Sequence, residues 1–407
     1  MSDATHVIVG ASLAGATAAI TLRDQGAKGR IVLIGAEAKL PYERPPLSKA
    51  YLRGETAIEH ASLRPAAFYA DHAIETVLRA RVARVDANAK AVEIEDGRRV
   101  PFDRLLIATG VRNRHIAIPG GDLDGIYGLR TAGDAHRIRT EMAPGRRAVV
   151  VGMGFIGSEV AASLRQAGVD VVAIDPAKTP LFRVLGEPIG RRIAALHQKH
   201  GVRTIFGDAV RAFEGTERVS SVVTARGARI PCDFVVVGIG VEPVVDFLEG
   251  SGIQVENGVV VDEYCRTSVS GVYAAGDVAN HYHPVFKRRI RVEHWHNAIK
   301  QAAMAARNML GEHTRYSEVH WFWSDQYDVN LQYAGYHTSA EQIIVRGSVT
   351  SDSFLAFYLN NGRIDAALGF NRGKDLRRVM PLIKSRRAVA PDDLENETVD
   401  LRSLAAA

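Results

Sequence analysis

The sequence predicts an α/β chain: two doubly wound parallel units, then a smaller α+β segment. Three observations carry that prediction. An apolar run, a glycine-rich turn and an alanine-rich helical stretch follow one another twice, in HVIVGASLAG (Gly10 to Gly15) and AVVVGMGFIG (Gly152 to Gly157). Strand-like and helix-like stretches alternate after each turn, as parallel sheets with helical crossovers require. From about residue 318 the texture changes to clustered aromatics and period-two alternation, the pattern of antiparallel strands.

Taken in order, residues 6–10 read as a buried strand, 14–25 as a helix and 30–35 as the next strand. The proline-punctuated stretch 40–54 leads into a short helix, and strands follow near 91–95 and 104–110. The pattern restarts with strand 147–152, helix 156–168, strand 169–175 and helix 189–201. Strands at 202–206, 219–225 and 233–238 read as the continuation of this second parallel sheet. Residues 257–275 resemble a return to the first unit, and a helix covers 296–310. Beyond it, QIIVRGSV, SFLAFYL and RIDAALGF read as antiparallel strands, with one helix over 373–386. The expected domains are therefore 1–110 with 241–317, then 111–240, then 318–407.

Composition narrows the function. The 407 residues are 46% hydrophobic and 24% charged, an ordinary globular balance. A net charge of +5 on scattered basic residues gives no concentrated stripe for nucleic acid. No apolar run approaches the roughly 18 to 20 residues of a membrane helix. Cys232 and Cys265 stand alone, without a C-x-x-C pair, which fits a cytoplasmic setting. His281, His283, His294 and His296 invite a metal reading, but no cysteine or carboxylate completes a ligand set, so no metal is expected.

A glycine turn that opens a helix can hold a pyrophosphate on backbone N–H groups and the helix N-terminus. Two such turns imply two dinucleotides, and hence electron transfer between them. In the second loop Gly152, Gly154 and Gly157 supply the tight turn, the close approach and the helix packing. Asp175 ends the next strand, 23 residues past Gly152, where a carboxylate accepts bonds from ribose hydroxyls and favours NADH over NADPH. Its alternative reading is a turn former before Pro176. Arg183 is the residue that would instead accommodate a 2′-phosphate. Glu159 either complements the helix dipole in the first turn or faces the nicotinamide carboxamide or a lysine. The first loop departs from the pattern, with Ser12 at the middle glycine position and Ala36, then Glu37, after its second strand.

The ordered motifs GASLAG, YERPPLSK (Tyr42 to Lys49), IATG, GMGFIGSE, VVVGIGVEP, YAAGD and WFWSDQ resemble the FAD-dependent ferredoxin reductases of bacterial oxygenase systems over essentially the full length. The resemblance implies a glutathione reductase-like pair of Rossmann domains with a C-terminal α+β domain. It implies FAD at Gly10, Ser12, Ala14, Gly15 and Glu37, with Arg44, Pro46, Lys49 and Val82. Further flavin contacts are implied at Thr109, Gly110, Arg130, Gly276, Asp277 and Trp295; Asp277 alternatively reads as a helix N-cap. NADH is implied at Gly152, Gly154, Phe155, Ile156, Gly157, Glu159, Asp175, Arg183 and Gly240. Lys49, near flavin N5, Glu159 and Trp323 are the implied catalytic residues, with Trp321 as packing. The implied partner is a [2Fe–2S] ferredoxin feeding a P450 or ring-hydroxylating dioxygenase, docking on a basic face for which Lys300, Arg307 and Arg372 to Arg378 are candidates. A rubredoxin or monodehydroascorbate reductase would share these motifs, and a redox-sensing NADH/FAD-binding protein is the reading from another class.

Overall fold

The computed structural model describes residues 3–406. The chain divides into two compact units. The first comprises the chain up to Glu43, Ala61–Arg112 and Glu242–Phe322; the second comprises Arg44–His60, Asn113–Val241 and everything from Trp323 onward.

The first unit is built on a five-stranded parallel sheet ordered Val272–Ala274, Arg104–Ile107, His6–Val9, Ile31–Ile34, Ile74–Val77. All four residues of His6–Val9 and of Ile31–Ile34 are buried, as strands covered on both faces must be. One face packs on the helices Leu13–Asp24 and Trp295–Met309, which meet through Ala14, Ala18, Ala298 and Ala302. Alanines here let two helices approach the sheet and each other closely. The other face is covered by a three-stranded antiparallel meander, Val82–Asp86, Ala91–Ile94 and Arg99–Pro101, through Val85, Val92 and Ile94. Residues 272–274 pair with Arg104–Ile107, so the chain does return to its first sheet after the second unit.

In the second unit the parallel sheet runs Arg203–Phe206, Asp170–Asp175, Arg147–Val151, Phe234–Val237, Ile126–Gly128. The stretch expected at 219–225 forms a strand, Val219–Thr224, but outside this sheet. It pairs antiparallel with Val210–Gly215 and Arg229–Pro231. No helical crossover separates these strands, and parallel pairing needs a connection of about a dozen residues or more, so they close as hairpins. Both units thus carry an antiparallel meander at the same point of the repeat.

The same unit holds a five-stranded sheet ordered Trp321–Gln326, Val329–Gly335, Arg363–Phe370, Phe354–Asn360, Gln342–Arg346, backed by the helix Gly373–Ser385. Its strand Phe354–Asn360 buries Phe354, Leu355, Phe357, Tyr358 and Leu359, each contributing about 1.5–3 kcal/mol of burial free energy. His197, on the helix Glu187–Lys199, lies 3.1 Å from Gln326 Oε1, and Tyr358 Oη donates to the Leu185 carbonyl at 2.9 Å. Burial lowers the His197 pKa to about 4, so it stays neutral in this seam. The expected third domain is therefore continuous with the nucleotide half around Gly152, and residues 44–60 join the same unit. Among the described residues no helix is long and apolar enough to cross a membrane.

Candidate active site

The two glycine loops have the same backbone hydrogen bonds. Gly10 N–H donates to the Ile34 carbonyl and Gly152 N–H to the Ile174 carbonyl, both at 2.8 Å. Both glycines have φ in the left-handed region, +117° and +91°, and an added Cβ would sit 2.2 Å from Ala108 O and 2.5 Å from Gly238 O. At Gly15 and Gly157 an added Cβ would meet the backbone oxygens of Gly10 and Gly152 at 1.8 and 1.9 Å. These four positions admit nothing larger than glycine. Each loop opens a helix of 12 residues, Leu13–Asp24 and Phe155–Gln166.

The loops differ at the middle position. Around Gly154, the N-cap of its helix, an added Cβ would meet nothing within 4 Å. Its backbone is extended (φ −72°, ψ −169°), so the glycine is not there for conformation. It leaves open space beside the N–H groups of the helix start, the cradle a pyrophosphate needs. Ser12 is the corresponding N-cap in the first loop, and its hydroxyl makes no capping bond.

The acids also differ. Asp175 Oδ2 accepts from Met153 N–H at 2.6 Å and Oδ1 from Ala177 N–H at 2.7 Å, which ties the strand end to the glycine loop. A carboxylate offers about four acceptor sites, so Asp175 keeps acceptor capacity of the kind a ribose hydroxyl needs. Since Ile34 and Ile174 hold equivalent places, the counterpart of Asp175 is Gly35. An added Cβ at Gly35 would lie 2.5 Å from Ala11 Cβ, which excludes an acid at that position. Glu37 lies two residues further on and accepts from Tyr42 Oη at 2.5 Å.

Lys49 and Glu159 form a largely buried ion pair beside these elements. Lys49 Nζ stands 2.6 Å from Glu159 Oε2, with side-chain exposures of 16% and 4%. Ser48 Oγ donates to the same oxygen at 2.5 Å, and Ser163 Oγ donates to the Ser48 carbonyl at 2.7 Å. The segment that delivers Lys49 is a 3-10 helix, Pro45–Ser48, where two prolines fix the turn and Pro46 O accepts Lys49 N–H at 3.0 Å. Glu159 is the fifth residue of its helix, beyond the first turn, so the dipole reading is replaced by the lysine one. A buried pair of this kind holds both charges in place, because removing either partner strands the other.

Other expected residues fall on both units. On the first, Thr109 Oγ1 donates to the Val244 carbonyl at 2.8 Å, and Gly110 has φ +68°. Gly276 N–H donates to Gln301 Oε1 at 2.9 Å, beside Ala14. Asp277 lies in the turn into the strand Ala279–His283, so it is no helix N-cap. Trp295 begins its helix, and the Val82 side chain lies in the core. On the second unit, Arg44 Nη1 donates to the Arg130 carbonyl at 2.5 Å. Gly240 (φ +99°) accepts from Arg114 N–H at 3.0 Å through its carbonyl. Trp323 Nε1 donates to Asp325 Oδ2 at 3.1 Å, and Arg183 is exposed.

Sequence reasoning named Ile156 but missed two apolar residues beside the second loop, Phe182 and Ile239. Phe182 and Ile239 are exposed at 38% each, and Ile156 at 46%. Leu181 N–H donates to Met153 O, and Ile239 N would lie 3.3 Å from a Cβ on Gly152, so the loop carries an apolar rim. Large exposed apolar residues grouped at one site mark a binding surface. The sequence signal was the run VLGEP after Phe182 and the GIG turn, neither of which carries chemistry alone. It also missed Ser48 and His320.

Comparison with known proteins follows the same division. The family "Pyridine nucleotide-disulphide oxidoreductase" matches residues 4–302, and "Reductase C-terminal" matches 321–405. The chain belongs to the pyridine nucleotide-disulphide oxidoreductases. Rhodocoxin reductase of Rhodococcus erythropolis is 38% identical, covering 97% of this chain and 93% of the relative. The anthranilate 1,2-dioxygenase system ferredoxin–NAD(+) reductase component of Burkholderia cepacia is 39% identical, covering 99% and 100%. The solved covalent putidaredoxin reductase–putidaredoxin complex matches with a TM-score of 0.96 and 35% identity over 100% of this chain and 99% of that one.

Unlike the disulphide chemistry in the family's name, this member offers no cysteine pair. Cys232 and Cys265 are both free and buried. Burial pushes the Cys232 thiol up to about 12 and raises that of Cys265 too, so neither is a thiolate near neutrality.

Proposed function

We propose that this chain is an NADH-dependent, FAD-containing ferredoxin reductase. It takes hydride from NADH onto FAD and passes electrons singly to a [2Fe–2S] ferredoxin serving a P450 or a ring-hydroxylating dioxygenase. The observation that carries the reading is the pair of matched glycine loops, in a chain similar from end to end to a reductase solved in covalent complex with putidaredoxin.

The residues fit both dinucleotides. FAD is assigned to the Gly10 loop, and when bound it supplies the conversion from hydride acceptance to single-electron delivery. NADH is assigned to the Gly152 loop, where Gly154 leaves room for the pyrophosphate and Asp175 orients the ribose. Lys49, held by Glu159, which Ser48 also braces, supplies a fixed positive charge for the hydride-transfer step, an electrostatic contribution from a largely buried pair. Lacking paired cysteines, the chain must release its electrons to an external acceptor. Free cysteines and the absence of any disulfide fit a cytoplasmic setting.

The basic candidates for ferredoxin docking are unequal. Arg372 pairs with Asp375 at 2.5 Å and Glu397 at 3.2 Å, and Arg378 pairs with Asp375 at 2.8 Å. Lys374 and Arg377 in that group, with Lys300 and Arg307, are the exposed ones. The test is direct. The purified protein should show a flavin spectrum that NADH bleaches, and should reduce a [2Fe–2S] ferredoxin in preference to a rubredoxin, with a rate that falls steeply as salt is added. Slow NADH oxidation with no ferredoxin turnover would replace this reading with that of a redox sensor.

A further inference from the structure

We infer that His281, His283 and His320 form a binding site for one first-row transition-metal ion of the zinc class. The inference is independent of the reaction proposed above. His281 and His283 lie two residues apart on the strand Ala279–His283, so their side chains share one face of it. His320, just before the strand Trp321–Gln326, completes the group: one ring nitrogen from each lies within 4.8 Å of the others. All three are at most 1% exposed.

The geometry suits an ion. His281 Nε2 and His320 Nε2 are 3.3 Å apart. Two ligands of a tetrahedral centre with metal–nitrogen bonds of about 2.0–2.1 Å stand about 3.3 Å from each other. His283 Nε2 lies 2.9 Å from the Glu318 carbonyl. Donation of Nε2–H to that oxygen leaves the Nδ1 lone pair as ligand, the outer-shell arrangement typical of metal-bound histidine. The two Nε2 atoms face each other between fully buried rings, so an ion between them takes both lone pairs while each Nδ1 carries the proton.

The donor set also names the class. Three imidazoles with no carboxylate among them suit zinc, copper or nickel and reject calcium and magnesium. Phe286, its ring 4.8 Å from that of His283, and Tyr316, 5.5 Å from that of His281, form a largely apolar shell. A water or small anion would take the fourth position. So enclosed a site is filled as the chain folds and serves to tie the strand Ala279–His283 to the segment entering the C-terminal sheet. His294 and His296, which the sequence grouped with His281 and His283, are not part of it.

The test is metal content of the flavin-loaded protein, produced or refolded with Zn(II), desalted past a weak chelator and measured by elemental analysis. About one zinc per chain is expected in the wild type, with loss in His320→Gln and in His283→Gln and retention in the exposed-site control His115→Gln. Wild-type Tm should rise with Zn(II), and that of His320→Gln should not. If His320→Gln fails to fold, His281→Gln carries the same comparison. A wild type without zinc after refolding in the metal, or zinc that persists in the folded triad variants, would overturn the site.

Discussion

The two glycine loops share a backbone and differ in what surrounds it. Gly10 and Gly152 donate to equivalent strand carbonyls, and Gly15 and Gly157 press equally closely on their loops. Yet the second loop has an open middle position, a carboxylate tied to its own N–H and an apolar rim, whereas the first has a serine and no acid in the matching place. The difference teaches that the turn is a common device for holding a pyrophosphate. On the assignment proposed above, selection among nucleotides falls to the residues one strand away.

The largest effects come from the shared part. Gly157→Ala places a Cβ 1.9 Å from Gly152 O and should reduce NADH-dependent bleaching by roughly 100-fold while flavin stays bound. Gly15→Ala, at 1.8 Å from Gly10 O, should instead yield protein without flavin, read from its visible spectrum. If both variants lost the same cofactor, the assignment of one loop to each nucleotide would fail.

Lys49→Ala comes next, since it leaves Glu159 buried with Ser48 alone. Stopped-flow flavin reduction should slow by about 10- to 100-fold, with the NADH KM less affected. A purely binding defect would remove Lys49 from the hydride-transfer step.

Asp175→Ala should raise the NADH KM by about tenfold and narrow the gap to NADPH, because a ribose acceptor and the tie to Met153 go together. Steady-state kinetics with both coenzymes decide it, and an unchanged coenzyme ratio would count against the ribose role.

The smallest effect is the most pointed. Gly154→Ala fits the fold, since its Cβ meets nothing within 4 Å, so Tm should hold while the NADH KM rises several-fold. Ser12→Gly in the other loop should leave flavin content nearly unchanged. A fall in Tm for Gly154→Ala would show that this glycine serves folding instead.

Much of this was legible along the chain. The fold class, both loops, Asp175 and the return to the first sheet follow from apolar runs and glycine spacing, which report local backbone demands. The meander containing Val219–Thr224 was misplaced, because a strand's sequence records burial and not whether its partner runs parallel or antiparallel. In the first loop, counting residues points to Glu37 but cannot reveal that the close packing of Gly35 on Ala11 closes the position equivalent to Asp175.

By itself, then, the sequence determined the local devices: two turns that only glycine can make, helices opened beneath them, an acid at one strand end and no cysteine pair. Tertiary structure alone decided which distant side chains meet. Glu159 pairs with Lys49 across 110 residues, and His320 joins His281 across 39. The physical reason is range. Backbone conformation is set by neighbours in sequence, whereas a buried charge or imidazole is satisfied by whatever partner the packed elements bring within about 3 Å.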